Sequence, residues 1–293
     1  MENINGTQVA FEAKESLKYD IEQNFFAKNR PAPKLVVVMV GNNPASQVYV
    51  AGKAKACAQV GINSQIYHLD GTATECEIAK VIDELNKDKT VDGILLQLPL
   101  PDHIDEQKMI ELISPAKDVD GLTKVNLGKL MSCDSSGLFG CTPSGVIHLL
   151  KHYKVELKGK DVAIINRSLL VGKPLAHMFL NENATVTVCH SKTKDLAEKT
   201  KNADIVVVAV GRKNFLTADM VSPGAIVIDV GINRDETTKK LCGDVDYENV
   251  SKKASLITPV PGGVGPMTIA MLLRNTYISA LNKYKVKEKT EIN

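Results

Sequence analysis

Cysteine is sparse in this chain of 293 residues: the six thiols, Cys57, Cys76, Cys133, Cys141, Cys189 and Cys242, include no C-x-x-C pair. That density excludes a disulfide scaffold and leaves free thiols, buried or half-buried, as the reading. An excess of one charge is missing too. Lys and Arg number 36 against 34 Asp and Glu, a formal net charge of +2. A nucleic-acid binder would show a basic excess, and a disordered solvating chain an acidic one. No apolar run approaches the roughly 18 residues that cross a bilayer. The opening MENINGTQVA has no apolar signal core. A cytoplasmic protein that binds neither nucleic acid nor membrane is expected. His148 and His152 stand at i,i+4, but Leu149-Leu150-Lys151 between them supply no acid, so the zinc-protease pattern fails and no metal is expected.

Apolar residues at 44% and charged residues at 24% are ordinary for a globular protein, and the length suggests two domains. Strands and helices alternate almost throughout. Val9, Ala13, Leu17, Ile21 and Phe25 mark one face of a helix that should stop before Arg30-Pro31. Leu35 to Val40 (LVVVMV) is apolar on both faces, as an interior parallel strand requires. A helix over Ser46 to Val60 is closed by Gly61; then come a strand at Ser64–Leu69, a helix at Thr74–Asn86 and a strand at Asp92–Leu98. Residues 99–145, rich in Pro, Gly, Asp and Ser, read as loops and the domain connection, with Thr142-Pro143 as N-cap and first residue of the next helix. A second series has strands at Asp161–Ile165, Ala184–Cys189, Asp204–Val210, Ala225–Val230 and Leu256-Ile257, then a helix from Pro266 to about Lys283. The tail Lys283–Asn293 should be solvated or frayed. Such β-α-β series predict an α/β fold of parallel sheets, with ligands outside the strands' carboxyl ends.

After the strand ending at Ile165, the segment from Asn166 to Gly172 occupies the place of a dinucleotide phosphate turn. The G-x-G-x-x-G fingerprint keeps only Gly172. Asn166 replaces the first glycine, and asparagine is among the few residues that accept a left-handed conformation; Ser168 replaces the second. On the glycines alone, a plain strand-to-helix turn explains the segment equally well. The end of the next strand adds information: His190-Ser191-Lys192-Thr193 contains no carboxylate for a ribose 2′-hydroxyl. Arg167, Ser191 and Lys192 suit a 2′-phosphate instead, favouring NADP over NAD.

In the first half, Tyr49 and Lys53 lie one helical turn apart, Gln97 ends the strand DGILLQL, and Asp120 follows in a loop. Taken singly, each has an ordinary reading as a half-buried ring, a snorkelling lysine, a strand-end amide and a turn carboxylate. Together with their surroundings they form a series: S-x-x-Y-x-x-x-K (Ser46–Lys53), Q-L-P-L-P (Gln97–Pro101), K-D-V-D-G-L (Lys117–Leu122), C-T-P-S-G (Cys141–Gly145), R-S-x-x-V-G-K-P (Arg167–Pro174) and P-V-P-G-G-V-G-P-M-T (Pro259–Thr268). From about Gly6 to Leu281 the chain resembles the bifunctional methylenetetrahydrofolate dehydrogenase/cyclohydrolase family. Asn166 stands where that family usually has glycine, Gly140 where proline commonly precedes C-T-P, and Lys213-Asn214 where a proline-containing turn is usual.

The resemblance implies two α/β domains flanking a cleft, the second of Rossmann type. The folate domain would span 1–145 joined by the C-terminal helix 266–293, and the NADP domain 146–265. It implies oxidation of 5,10-methylenetetrahydrofolate with NADP+, then hydrolysis to 10-formyltetrahydrofolate, in a homodimer of one-carbon metabolism that feeds purine, methionine and histidine synthesis. Lys53 would move protons, Gln97 tune it, Tyr49 pack on the p-aminobenzoyl group and Asp120 bind the pterin. Leu98, Pro99, Pro261, Gly262 and Gly263 would line the pocket. Asn166, Arg167, Ser168, Gly172, Ser191, Ile232 and Thr142 would serve the cofactor. Two other readings stand beside it: a dehydrogenase with little cyclohydrolase activity, and a non-catalytic nucleotide-binding module, which fold alone does not exclude.

Overall fold

The fold is taken from a computed structural model that describes residues 2–290. The chain forms two compact units, one of residues 1–11 with 142–268, the other of residues 12–141 with 269–293. In chain order, the elements begin with the short strand β1 (Glu2–Asn3) and helix α1 (Gly6–Asn24). Next come β2 (Lys34–Val40), α2 (Pro44–Val60), β3 (Asn63–Leu69), α3 (Glu75–Lys87) and β4 (Gly93–Leu96). Two short helices, α4 (Glu106–Ile110) and α5 (Lys124–Met131), precede α6 (Cys141–His152). The second series is β5 (Asp161–Ile165), α7 (Gly172–Asn181), β6 (Thr185–Cys189), α8 (Leu196–Lys201), β7 (Ile205–Val208) and β8 (Ile226–Asp229). A hairpin of β9 (Asn233–Arg234) and β10 (Leu241–Cys242), then α9 (Tyr247–Val250), β11 (Leu256–Ile257) and α10 (Val264–Thr290), complete it.

In the unit of residues 12–141 and 269–293, the sheet runs β3-β2-β4, all parallel. Strand β2 is central, so both its faces must be covered, and all but its first residue are buried. One of those faces joins Ile78, Val81, Ile82 and Leu85 of α3 in a single apolar cluster with Ile94 and Leu96. Helix α3 starts on a complete capping box between Thr74 and Glu77. Helix α2 starts at Pro44, two residues before the expected Ser46, because the Asn43 carboxamide oxygen accepts from Ser46 N and Pro44 takes the first helical position. The C-terminal helix α10 is stitched into this unit by polar bonds. Asn275 donates to the carbonyls of Val119 and Phe139, Ser279 to those of Asp92 and Ala116, and Lys283 pairs with Asp92.

The other unit holds the six-stranded sheet β1-β11-β8-β7-β5-β6, parallel throughout. The chain moves outward from β5 to β6 and then returns to the other side of β5 with β7. Strand β2 shows the same reversal between β3 and β4. Each unit therefore has a topological switch point at its first interior strand, and the crevice for a ligand lies at the carboxyl ends there. A core of Ala163, Ile165, Val206, Val208, Val227 and Ile257 with the helices around them fills one side of this sheet.

Several expectations are corrected. The 99–145 stretch is not all loop: Asp105 and Thr123 cap α4 and α5 with their side chains. Helix α1 does stop before Arg30-Pro31, as expected, but a 3-10 turn at Phe26–Lys28 fills the interval after its end at Asn24. Strand β4 stops at Leu96, two residues short of the expected Leu98. Residues 1–11, expected in the first domain, belong to the unit of residues 142–268, where strand β1 pairs with β11. Helix α10 continues past Lys283 to Thr290, and the last three residues of the expected tail lie outside the described residues. Among the described residues no helix is long and apolar enough to cross a membrane.

Candidate active site

In the three-stranded unit, α2 follows β2 directly, so its early turns lie at the crevice end of the sheet. Tyr49, 44% exposed, and the half-buried Lys53 sit there. Gln97 follows β4, and its N–H still donates to the Val38 carbonyl at 2.9 Å, holding it to the sheet after the strand has ended. Its carboxamide is held at both ends: Nε2 donates to Leu98 O at 2.6 Å, and Oε1 accepts from Lys53 Nζ at 2.9 Å. Leu98 is half-buried and Pro99 exposed, and the peptide bond between them is cis.

The loop carrying Asp120 is built by its neighbours. The Lys117 ammonium donates to the carbonyls of Leu85, Asn86 and Asp88, closing the end of α3. Asp118 accepts from the N–H groups of Gly121, Leu122 and Thr123 and from the Asn126 carboxamide. Of the two aspartates in K-D-V-D-G-L, one thus shapes the loop and the other is left to act. Burial pushes the Asp120 carboxyl up, the Lys53 ammonium pulls it back, and Asp118 adds to the rise. Burial lowers Lys53 below the usual lysine range, with Asp120 opposing. The thiol of Cys141 lies against this pair. It donates to Val119 O at 3.3 Å, and burial first, then Asp120, holds it well above its ordinary range. Two members of this surrounding are hard to see in the sequence: Cys141 lies in the visible C-T-P motif but shows no role there, and Asn275 sits in an ordinary amphipathic helix with no signal of its own.

The six-stranded unit carries the other residues. The turn after β5 is organised by Asn166, although not as expected: Asn166 is absent from the residues with positive φ. Its side chain does the work. Asn166 Oδ1 accepts from Ser168 N (2.8 Å), Ser168 Oγ (2.8 Å) and Gly172 N (2.9 Å), while Nδ2 donates to Ala209 O. An asparagine thereby ties the ends of β5 and β7 together at the switch point, where a glycine would only permit a turn. Gly172 is needed for that approach, since a Cβ there would stand 2.1 Å from the Asn166 carbonyl oxygen. Arg167 and Ser168 are exposed at the mouth of the turn. After β6, the Thr193 hydroxyl accepts from His190 N and His190 Nδ1 accepts from Lys192 N, a knotted loop that leaves Ser191 exposed. Ile232, 48% exposed, lies beyond β8.

Thr142 is not a cap: α6 begins at Cys141, and the Thr142 hydroxyl lies 3.0 Å from that of Thr268. Pro261, Gly262 and Gly263 belong to this unit as well, packed at the start of α1, where Thr7 N donates to Gly262 O. The structure thus gathers Tyr49, Lys53, Gln97, Leu98, Pro99 and Asp120 in one unit, and Thr142, Asn166, Arg167, Ser168, Gly172, Ser191, Ile232 and the Pro261–Gly263 turn in the other. A dinucleotide fits the second set. Its phosphates suit an exposed turn beside a guanidinium at the start of α7, and no carboxylate stands at the end of β6 to repel a 2′-phosphate.

Comparison with known proteins agrees with this chemistry. Residues 4–120 match the catalytic domain, and residues 140–284 the NAD(P)-binding domain, of tetrahydrofolate dehydrogenase/cyclohydrolase. The bifunctional protein FolD of Campylobacter hominis is 53% identical over 285 residues, covering 97% of this chain and 99% of that protein. The crystal structure of the bifunctional FolD enzyme from Campylobacter jejuni superposes with a TM-score of 0.94 at 52% identity, over 97% of this chain and 99% of that one. The Trypanosoma brucei dehydrogenase-cyclohydrolase, solved with NADP cofactor and an inhibitor, gives a TM-score of 0.90 at 35% identity, over 96% and 97% of the two chains. Two matching domains that together span nearly the whole sequence place this chain in the tetrahydrofolate dehydrogenase/cyclohydrolase family.

Proposed function

We propose that this chain oxidises 5,10-methylenetetrahydrofolate with NADP+ and hydrolyses the methenyl product to 10-formyltetrahydrofolate, with Lys53 moving the protons of the second reaction. The observation that carries this reading is the state of Lys53: half-buried, depressed by burial, bonded to Gln97 and balanced against the Asp120 carboxylate. A lysine so placed titrates nearer to neutral pH, where general acid–base catalysis is most efficient.

In the first reaction the methylene carbon lies between two nitrogens whose lone pairs stabilise the developing cation, so no strong protein acid is needed. Orientation supplies much of the rate. When bound, NADP+ supplies the hydride acceptor. Arg167, Ser168 and Ser191 hold its phosphates, on the turn that Asn166 and Gly172 shape, and Ile232 and Thr142 serve its nicotinamide end. In the second reaction water adds to the methenyl carbon. Neutral Lys53 takes one proton from that water, and the C–N5 bond then breaks as N5 gains a proton. The remaining proton leaves to solvent. Gln97 Oε1 fixes the direction of the amine. Asp120 accepts from pterin N–H groups, Tyr49 presents its exposed ring to the p-aminobenzoyl group, and Leu98 and Pro99 supply apolar surface.

This reading assigns folate chemistry to 1–145 with 266–293 and the cofactor to 146–265, whereas the compact units group residues 1–11 with 142–268 and residues 12–141 with 269–293. It extends to a cytoplasmic homodimer supplying one-carbon units to purine, methionine and histidine synthesis, an extension that rests on family habit. The test is Lys53→Met assayed by the loss of methenyl absorbance. Hydrolysis should vanish while folate still binds; hydrolysis near the unmodified rate would refute the role. The same assay on the unmodified chain separates a bifunctional enzyme from a dehydrogenase alone.

A further inference from the structure

Two buried carboxylates in the six-stranded unit take no part in the chemistry above. Asp244 is fully buried and Asp229 is 3% exposed. A buried carboxylate is costly unless its oxygens are met by donors, and here they are met almost wholly by backbone. Asp244 Oδ2 accepts from Val210 N (2.5 Å) and Gly211 N (3.0 Å), and its Oδ1 from Arg212 N (2.8 Å) and Asn233 Nδ2 (2.8 Å). Four donors fill the roughly four acceptor sites of one carboxylate. Asp229 Oδ1 accepts from Gly231 N (2.9 Å) and Asp244 N (3.0 Å), and its Oδ2 from Val245 N (2.9 Å).

The bonds form a chain of constraint. Asp229, ending β8, grips the backbone at Asp244 and Val245; Asp244 in turn grips residues 210–212, the loop that leaves β7. The packing is close enough to demand glycine on both sides. A Cβ at Gly231 would fall 2.2 Å from Asp244 Cγ, and one at Gly243 would fall 1.9 Å from Asp229 Oδ2. Ile232 is caught between the two grips. The residue before it is held by Asp229 through Gly231 N, and the residue after it by Asp244 through the Asn233 side chain. Both clamped loops leave the carboxyl ends of strands next to the switch point at β5 and β7, on the side where a parallel sheet receives its ligand.

We propose that Asp229 and Asp244 are positioning residues for the dehydrogenase reaction, fixing the loops after β7 and β8, and with them Ile232, in the shape that receives the nicotinamide end of NADP+. This rests on the cofactor assignment made above. Replacing Asp244 by Asn keeps the bulk but turns one acceptor into a donor facing backbone N–H groups, which breaks the clamp without opening a cavity.

The protein supplies its own control, because hydrolysis of added methenyltetrahydrofolate consumes no cofactor. Asp244→Asn should raise KM for NADP+ by about tenfold or more, the loss expected for a hydrogen bond to a charged group, with hydrolysis of methenyltetrahydrofolate within about twofold of the unmodified enzyme. Asn233→Ala removes only one strand of the clamp and should raise KM for NADP+ by about threefold to fivefold, again sparing hydrolysis. A parallel fall of both activities in Asn233→Ala, or an unchanged KM for NADP+ in it, overturns the proposal, and decides the matter even if Asp244→Asn does not fold. A tenfold rise confined to the dehydrogenase supports it. Failure of the unmodified enzyme to bind NADPH in a fluorescence titration would sink the cofactor assignment itself, a result visible without any variant.

Discussion

The two units share a topology and differ in what they set at its switch point. Around β2, the residues at the crevice are side chains whose charge states are disturbed. Lys53 is lowered and Asp120 raised, both chiefly by burial, and each moderates the other. Around β5, the residues at the crevice are backbone amides and exposed polar groups, and the carboxylates are withdrawn underneath as anchors for loops. On the function proposed above, the same parallel-sheet reversal would serve proton chemistry in one unit and shape in the other. The contrast is one of solvent as much as of residue type. A carboxylate ringed by backbone N–H donors holds the loops that carry them, whereas Lys53 and Asp120 shape no loop and keep their side chains turned on each other.

The largest effect that could break this contrast is the removal of the amine. Lys53→Met should cost at least about a thousandfold in methenyl hydrolysis, measured by absorbance decay, while folate binding measured by calorimetry persists. Asp120→Asn comes next. Loss of the carboxylate removes what holds Lys53 up, so the acid limb of the hydrolysis profile should move to lower pH, and KM for folate should rise about tenfold. A limb that stays in place would mean that Lys53 is not the group titrating. On the other side of the comparison, Gly172→Ala would force a methyl against the Asn166 carbonyl. It should lower stability by about 1–3 kcal/mol and weaken NADP+ without moving the pH profile of hydrolysis.

The smallest effect concerns the struts. Burial, with Asp244 adding to it, raises Asp229 to about 6 against the bonds that favour its anion. A carboxyl raised on folding binds its proton more tightly in the native state, so its contribution to stability is full at acid pH and is lost as pH rises through about 6. Between pH 5 and 7 that loss should be about 1 kcal/mol in denaturant unfolding, and Asp229→Asn should flatten it. An unchanged slope would place the titration elsewhere.

Much of the frame was legible in the sequence. LVVVMV, DVAII and AIVIDV announce interior parallel strands because an element covered on both faces cannot afford polar residues. Lys53, Tyr49, Gln97 and Asp120 were legible as a set, by their motifs rather than by any property of each alone. What escaped reading has physical causes. Strand β1 is two polar residues whose pairing with β11 is a matter of tertiary contact, not of pattern. Helices α4 and α5 are short, and the prolines and glycines around them mask the caps at Asp105 and Thr123. In sequence Asn166 suggests a backbone tolerance, yet it works through its carboxamide. Asp229 and Asp244 stand in sequence as ordinary strand-end and loop acids, and only the glycines beside them hint that something must fit tightly there.

Helix α10 is sewn to residues 89–141 across most of the length of the chain. The sheet of that unit has been synthesised by Leu96, yet the partners of Val119, Phe139, Asp92 and Ala116 are Asn275 and Ser279, near the end of the chain. During translation the early half must therefore wait, its strands made but its last wall absent, until the whole of the cofactor-side unit has emerged from the ribosome.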